Sequence, residues 1–159
     1  MSSNIYFDLH SSKADRYTAI MPQITALVSA ETDKIANMAN ISAVLKEVFQ
    51  FWWVGFYLVK SEELVLGPFQ GPLACTRIAK GKGVCGTAWL QEKHIIVPNV
   101  DEFPGHIACS SASKSEIVIP IFNDGKVIAV LDVDSEHLEH FDAIDAQYLS
   151  EIAQLISKD

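Results

Sequence analysis

Residues 115–135 read SEIVIPIFNDGKVIAVLDVDS, and this stretch decides much of the fold. Two runs rich in β-branched residues, 116–122 and 127–133, flank the four residues Asn-Asp-Gly-Lys at 123–126. Asn, Asp and Gly tolerate the positive φ angles that a tight hairpin turn requires. The stretch therefore predicts a β-hairpin of two neighbouring antiparallel strands.

Acidic residues recur on one face of this predicted hairpin. Side chains alternate along a strand, so Asp132 and Asp134 share one face while Leu131 and Val133 point to the core. Antiparallel pairing brings Glu116 of the first strand towards the end that carries these two acids. Like charges this close raise one another's pKa, so the patch would hold a proton near neutral pH or bind an ammonium group. A solvated strand end is the alternative interpretation.

The rest of the chain predicts strands between terminal helices. Short β-branched and aromatic runs predict strands at 53–59, 64–69 and 95–97. Helices gathered on one face of a central antiparallel sheet are an α+β arrangement, which leaves the other face free to hold a ligand pocket covered by loops. The length of 159 residues and an apolar content of 49% predict a single domain over residues 1–159.

Apolar residues at three- and four-residue spacing predict the helices, which lie at 12–30, 32–49 and 143–157. Asp142 is the expected N-cap of the last one, and Pro22 should kink or restart the first. The positions predicted to face inward are Tyr17, Ile20, Met21, Ile24, Leu27, Val28, Ile35, Met38, Ile41, Leu45, Val48, Phe49, Ile144, Tyr148, Leu149, Ile152, Leu155 and Ile156.

Charge and composition restrict the partners and the compartment. A net charge of -8 would repel nucleic acid and anionic lipid surfaces, so neither is an expected partner. The sequence shows no signal peptide and no apolar run long enough to span a bilayer, which predicts a cytoplasmic protein. Three cysteines in a reducing compartment are no disulfide framework, and their odd number leaves at least one free thiol.

The three cysteines, Cys75, Cys85 and Cys109, lie in predicted loops or at the ends of elements. Basic residues flank them and favour the reactive thiolate form; these are Lys80, Lys82, His106 and Lys114. A short predicted helix at 83–93 places Cys85 near a helix N-terminus, which also favours a thiolate. Residues 98–115, which contain Cys109, form a long loop without periodicity, and such loops are usually functional.

Two other interpretations of the cysteines remain open. Cysteine is a small hydrophobic residue, so all three thiols could be structural and inert. Zinc held by the three cysteines with His94 or His106 is a further alternative, but the paired C-x-x-C spacing of zinc sites is missing. We therefore expect neither a metal nor an organic cofactor.

Several segments together resemble free methionine-(R)-sulfoxide reductases, a family of GAF-domain enzymes. The segments are WVGFYL at 53–58, GPFQG at 67–71, GKGVCG at 81–86, VPNV at 97–100, SEIVIP at 115–120 and LDVDS at 131–135. The resemblance covers nearly the whole chain in order and includes the spacing of the three cysteines. It implies a GAF fold, with terminal helices on one face of the sheet and a loop-covered pocket on the other.

The resemblance also implies an activity and its residues. The expected reaction is reduction of free L-methionine-(R)-sulfoxide by a cysteine thiolate, through a sulfenic acid and an intramolecular disulfide that thioredoxin reduces. Cys109 would attack, Cys75 would be the resolving partner and Cys85 an additional pocket thiol. The residues implied to bind substrate are Glu116, Asp132 and Asp134 as acids and Trp53 and Tyr57 as an aromatic wall. The family further implies a homodimer formed through the terminal helices and a role in oxidative stress.

A binding module without turnover is the alternative function. Many GAF domains are small-molecule sensors, and such a protein would bind a ligand without consuming it. The sequence contains no kinase, cyclase or DNA-binding segment to transmit a signal, which favours the enzyme. A structural protein with inert cysteines would instead have thiols that react slowly with alkylating reagents.

Overall fold

The structure, a computed structural model, describes residues 4–107 and 112–157. The strands in these ranges are β1 (Trp53–Lys60), β2 (Glu63–Gln70), β3 (Arg77–Ala79), β4 (Ile95–Val97), β5 (Ser115–Asn123) and β6 (Lys126–Ser135). They form one antiparallel sheet in the order β3-β2-β1-β6-β5-β4. The α-helices described are α1 (Lys13–Ser29), α2 (Lys34–Phe49), α3 (Gly83–Gln91) and α4 (Ala143–Gln154).

The predicted hairpin is confirmed as β5 and β6. Asn123 pairs with Lys126, and the two turn residues Asp124 and Gly125 have φ angles of 51° and 74°. Both central positions therefore have the positive φ of a hairpin turn, which is why Asp and Gly occupy them. The strand β6 lies between β5 and β1 and so connects the hairpin to the rest of the sheet.

The sheet carries different layers on its two faces. One face packs against α2 and α4, on which α1 packs in turn, and contributes the buried residues Val54, Phe56, Ile117, Ile119, Ile121, Leu131 and Val133 to the larger core. The opposite face packs against α3 and contributes Trp53, Tyr57, Val118 and Val130 to a second core. The predicted α+β arrangement is confirmed, and the second face also carries a helix.

The helices lie where they were predicted, but two residues in first turns that were predicted to face inward do not. Asp142 caps α4 as predicted, and α1 continues through Pro22 without restarting. Ile35 and Ile144, predicted to face inward, are 49% and 38% exposed, so these two predictions are wrong. In each case a hydrogen-bonded polar residue of the same turn, Asn37 in α2 or Asp145 in α4, takes the inward place.

No helix in the described part of the chain is long and apolar enough to cross a membrane.

Candidate active site

The hairpin register brings three carboxylates onto one face of the sheet. Glu116 pairs directly with Asp134, and Val118, two residues beyond Glu116, pairs with Asp132. Glu116 and Asp132 are only 5% and 6% exposed, and Asp134 is half-buried. The predicted juxtaposition of the three acids is thus confirmed, while their role in binding stays a prediction. They are not a solvated strand end, because all three line a cavity under the loops.

Burial makes this cluster electrostatically unfavourable when it is fully ionised. Burial, followed by the neighbouring Asp132, raises the pKa values of Glu116 and Asp134 well above those of ordinary carboxyl groups. Burial also raises the pKa of Asp132. No lysine or arginine is among the described residues that line the cavity. The cluster therefore keeps a proton near neutral pH or requires a bound cation.

Neighbouring groups satisfy only part of the hydrogen-bonding capacity of the cluster. The Ser113 hydroxyl donates to Asp134 Oδ1 at 2.9 Å, and the Cys85 thiol donates weakly to Glu116 Oε1 at 4.0 Å. Asp132 Oδ1 is buried and has no hydrogen-bond partner among the described residues. His106 Nε2 lies 3.8 Å from Glu116 Oε2, but burial lowers the pKa of His106, which favours the neutral imidazole. An unsatisfied buried oxygen is therefore available to a donor from outside.

Cys85 has the predicted position but not the predicted acidity. It is the third residue of α3 and is only 3% exposed. Burial, and then Asp132 and Glu116, raise the pKa of its thiol well above the ordinary value. Lys80 and Lys82 do not compensate, since both are exposed and the Lys80 ammonium lies 4.8 Å from the centre of the Trp89 ring. The prediction that the helix N-terminus makes Cys85 a thiolate is therefore wrong.

Of the other two cysteines, the structure describes Cys75 but not Cys109. Cys75 is half-buried and packs against the core on the α3 side, and its carbonyl oxygen accepts a hydrogen bond of 2.9 Å from the Tyr57 hydroxyl. Cys109 lies outside the described residues. Its neighbours along the chain, Ile107 and Ser113, both line the cavity. The assignment of Cys109 and Cys75 as attacking and resolving thiols remains a prediction.

Two aromatic residues of β1 form one wall of the cavity. The ring centres of Trp53 and Tyr57 are 6.0 Å apart, and Trp53 also stacks on Phe69 at 5.3 Å. The Trp53 indole N–H donates to the Pro72 carbonyl at 3.0 Å. Since Tyr57 bonds to the Cys75 carbonyl, both polar ends are engaged by the loop between β2 and β3. The aromatic wall thereby fixes the loop that carries Cys75.

The cavity includes residues that the sequence did not indicate. They lie on strands, on α3 and in loops, and they are Trp52, Leu73, Ala74, Ile78, Gly83, Val84, Ile107 and Ser113. Two features of the sequence lie near these residues: the aperiodic loop at 98–115 and the segment GKGVCG at 81–86. Neither feature specifies which side chain turns inward, because that depends on packing between distant parts of the chain.

Comparison with known proteins defines the class of this chain. The GAF domain family model matches residues 38–158, which places the chain in that family and its fold in the GAF class. The chain is 62% identical over 146 residues to GAF domain-containing protein A of Dictyostelium discoideum, covering 91% of this chain and 92% of that protein.

Two further relatives narrow the class. The chain is 42% identical over 148 residues to the free methionine-R-sulfoxide reductase of Escherichia coli, covering 92% and 90% of the two chains. The crystal structure of free methionine-R-sulfoxide reductase from Neisseria meningitidis in complex with its substrate superimposes with a TM-score of 0.94 at 56% identity, covering 97% of this chain and 93% of that one. The chain belongs to the free methionine-(R)-sulfoxide reductase family, as its motifs predicted.

Proposed function

We propose that this protein is an oxidoreductase that reduces free L-methionine-(R)-sulfoxide to methionine. One observation carries the proposal: in the described part of the chain, two buried carboxylates and a half-buried one line a cavity that has an aromatic wall and no lysine or arginine among its lining residues. Such a cavity suits a small molecule that combines a cation with a polarisable apolar end. The related E. coli and N. meningitidis proteins, which are named for this activity, support the choice of substrate.

The substrate's ammonium group binds to Glu116, Asp132 and Asp134 in this proposal. An ammonium group has three N–H donors, and Asp132 Oδ1 is a buried acceptor without a partner in the described residues. The S-methyl end packs on Trp53 and Tyr57, since sulfur and aromatic rings attract each other. A peptide-bound methionine sulfoxide has no free ammonium group to offer, so the site selects the free amino acid.

The proposed chemistry requires a thiolate, a proton and a second thiol. The Cys109 thiolate attacks the sulfoxide sulfur while a protonated acid of the cluster gives its proton to the sulfoxide oxygen. The hydroxyl group then moves from the substrate sulfur to the Cys109 sulfur as the bond between the two sulfurs breaks, so methionine leaves and Cys109 becomes a sulfenic acid. The Cys75 thiol condenses with it, which releases water and forms the disulfide. A dithiol protein such as thioredoxin then reduces that disulfide by exchange.

Cys85 has a different proposed role from the other two cysteines. Its raised pKa keeps the thiol protonated, and its S–H group points to Glu116 Oε1. We assign it to the pocket as a neutral thiol that positions Glu116, and not to nucleophilic attack. This division explains how three cysteines serve one reaction in which only two change oxidation state.

The activity is tested by coupling turnover to NADPH oxidation through thioredoxin reductase and thioredoxin. The free (R)-sulfoxide should be consumed, whereas the (S) epimer and an N-acetylated (R)-sulfoxide should not. Cys109→Ser should abolish turnover. Normal turnover by Cys109→Ser would overturn the mechanism, and retention of the sulfoxide without turnover by the reduced wild-type protein would favour the binding module.

The resolving role of Cys75 has its own test. In Cys75→Ser the first step can still occur once, so each molecule should form at most one methionine and then carry a sulfenic acid that dimedone traps. Steady thioredoxin-linked turnover by this variant would contradict the assignment. The homodimer through the terminal helices and the cytoplasmic location remain predictions, and sedimentation velocity of the full chain tests the former.

A further inference from the structure

One buried group of side chains offers more donor types than an ammonium group needs. The Sγ atom of Cys85 and one carboxylate oxygen from each of Glu116 and Asp132 lie within 4.8 Å of one another, and all three residues are buried. His106 Nε2 lies 3.8 Å from the second oxygen of Glu116. A thiol and two carboxylates therefore lie close enough together to hold one cation, and an imidazole lies beside one of the two carboxylates.

An independent observation shows that this group is incomplete. Asp132 Oδ1 is buried, belongs to a residue that lines the cavity and has no hydrogen-bond partner in the described ranges 4–107 and 112–157. A buried carboxylate oxygen in this condition requires a donor or a cation. Because no lysine or arginine is among the described lining residues, the chain's own cations do not supply it there.

The donor set indicates the class of cation. Calcium and magnesium prefer oxygen ligands, whereas zinc accepts sulfur, nitrogen and oxygen in a four-ligand tetrahedron. With bonds of about 2.0–2.3 Å, ligand atoms of such a tetrahedron are about 3.3–3.8 Å apart. The Cys85 Sγ atom lies 4.0 Å from Glu116 Oε1, and no pair of ligand atoms in the group is more than 4.8 Å apart, so the side chains reach that range by moving about 1 Å closer together.

We propose that the reduced protein binds one zinc ion, or a divalent metal of the same class, through Cys85, Glu116 and Asp132, with water in the fourth position. This site differs from a site on the three cysteines, since only one cysteine contributes. Binding replaces the thiol proton with the metal and satisfies the partnerless oxygen of Asp132. If the proposed substrate uses the same acids, metal and methionine sulfoxide exclude each other; this last consequence alone rests on the proposed function.

The test uses a double variant, Cys75→Ser/Cys109→Ser, in which Cys85 is the only thiol. The reduced, metal-free protein is titrated with Co²⁺, whose tetrahedral thiolate complexes show visible d–d bands and a charge-transfer band in the near ultraviolet. We expect saturation at one ion per chain and displacement by Zn²⁺. Adding Cys85→Ser should remove the charge-transfer band, and Glu116→Gln should weaken binding by at least about tenfold.

Glu136→Gln serves as the matched control, because Glu136 is an exposed acid close to the hairpin end. It should leave the Co²⁺ affinity unchanged. Within the double variant itself, Zn²⁺ should also slow the reaction of Cys85 with a disulfide reagent, a readout that needs no further substitution. Absence of saturable binding, a charge-transfer band that survives Cys85→Ser, or unchanged thiol reactivity with Zn²⁺ would overturn the proposal. None of these measurements involves turnover, so they are independent of the proposed function.

Discussion

Asp134 shows how one residue of the candidate site reduces the stability of the unliganded protein. It lies directly opposite Glu116 in the hairpin and accepts a hydrogen bond from Ser113. Burial and the neighbouring Asp132 raise its pKa, which means that its ionised form is less stable in the folded protein than in the unfolded chain. Without a bound cation, this side chain therefore works against folding at neutral pH.

Replacing Asp134 by Asn should stabilise the unliganded protein and impair its activity. Asn keeps an oxygen for the Ser113 hydroxyl but removes the charge. We expect the melting temperature to rise by at least about 2 °C, which corresponds to about 1 kcal/mol in a domain of this size. If the protein has the proposed function, loss of one charged contact to the substrate ammonium should lower kcat/KM by about tenfold to a hundredfold.

Differential scanning fluorimetry and the coupled assay measure the two effects of Asp134→Asn. Glu136→Gln, an exposed acid two residues further along the chain, is the control and should change neither quantity. A lower melting temperature for Asp134→Asn would show that the carboxylate stabilises the fold in its ionised form, contrary to the direction of its pKa shift.

The carboxylate cluster could be predicted because strand alternation and a hairpin turn are local properties of the sequence. Asp132, Asp134 and Glu116 follow from the period of two and the turn at 123–126. The acidity of Cys85 could not be predicted in this way. It depends on β5 and β6 passing beneath α3, and that contact joins residues some 30 to 50 positions apart.

At the scale of elements, Asp145 joins the first helix to the last. Its side chain is fully buried and accepts hydrogen bonds from Lys13 Nζ at 2.6 Å and from the Tyr17 hydroxyl at 2.7 Å. It also accepts from the backbone N–H of Asp142, which completes the capping box of α4. One carboxylate thus accepts hydrogen bonds from two side chains of α1 and also from the backbone at the start of α4.

Asp145→Ala should destabilise the protein by about 3 kcal/mol or more, because it leaves the buried Tyr17 hydroxyl without its acceptor and removes the nearer of the two carboxylates that pair with the Lys13 ammonium. Urea unfolding followed by circular dichroism measures the change. Glu151→Ala on the exposed side of the same helix should alter the free energy of unfolding by less than about 0.5 kcal/mol. Equal effects of the two substitutions would refute the assigned role of Asp145.

The contact of α3 with β3 depends on Gly86. A Cβ atom at this position would lie 2.4 Å from the Ala79 carbonyl oxygen, and the Gly81 N–H donates to the Gly86 carbonyl at 2.8 Å. The first turn of α3 therefore lies directly on the backbone that leaves β3. Since Cys85 precedes Gly86, this close approach also sets the position of its thiol above the sheet.

Gly86→Ala should separate α3 from β3 and cost about 2 kcal/mol of stability, as overpacking against backbone does. It should also raise the rate at which a disulfide reagent modifies Cys85 in the Cys75→Ser/Cys109→Ser background. Gln91→Ala, at the exposed end of the same helix, is the control for both measurements. Unchanged stability and thiol reactivity in Gly86→Ala would show that the helix can shift without consequence.

Elements with strong periodicity could be predicted, and those fixed by distant contacts could not. The four helices and five of the strands follow from spacing and turn residues. The strand β3 escaped prediction because its three residues, Arg-Ile-Ala, lack the β-branched run that marks the equally short β4, and it exists through pairing with β2. The helix α1 likewise tolerates Pro22 because its buried residues Tyr17, Ile20 and Ile24 pack on both sides of it.

The two faces of the sheet differ, since one carries the larger apolar core and the other carries the candidate site. The face covered by α2 and α4 is apolar, with the exception of hydrogen-bonded groups such as Asp145. The opposite face places three carboxylates in a cavity, within a chain of net charge -8. The stability of the unliganded protein should therefore depend on pH in a manner set by this opposite face.

This pH dependence is best measured as a difference between two proteins. The wild type and Glu116→Gln/Asp134→Asn share the histidines His106 and His140, whose lowered pKa values reduce stability on acidification. Comparing their melting temperatures from about pH 8 to about pH 5 therefore removes the histidine contribution to a first approximation. What remains is the contribution of the carboxyl groups at 116 and 134, together with the effect of their removal on the pKa values of Asp132 and Cys85.

The pKa values of Glu116 and Asp134 are higher in the folded protein than in the unfolded chain, where a carboxyl group has a pKa of about 4. Such a group stabilises the folded protein at low pH, and this stabilisation is lost as the pH rises through the pKa of the folded state. The wild type should therefore melt below the double variant at about pH 8 and approach it as the pH falls towards about 5. Scanning calorimetry of both proteins checks this expectation. A gap that widens on acidification would mean that the folded protein stabilises these two groups as anions, and an internal cation would then have to be sought.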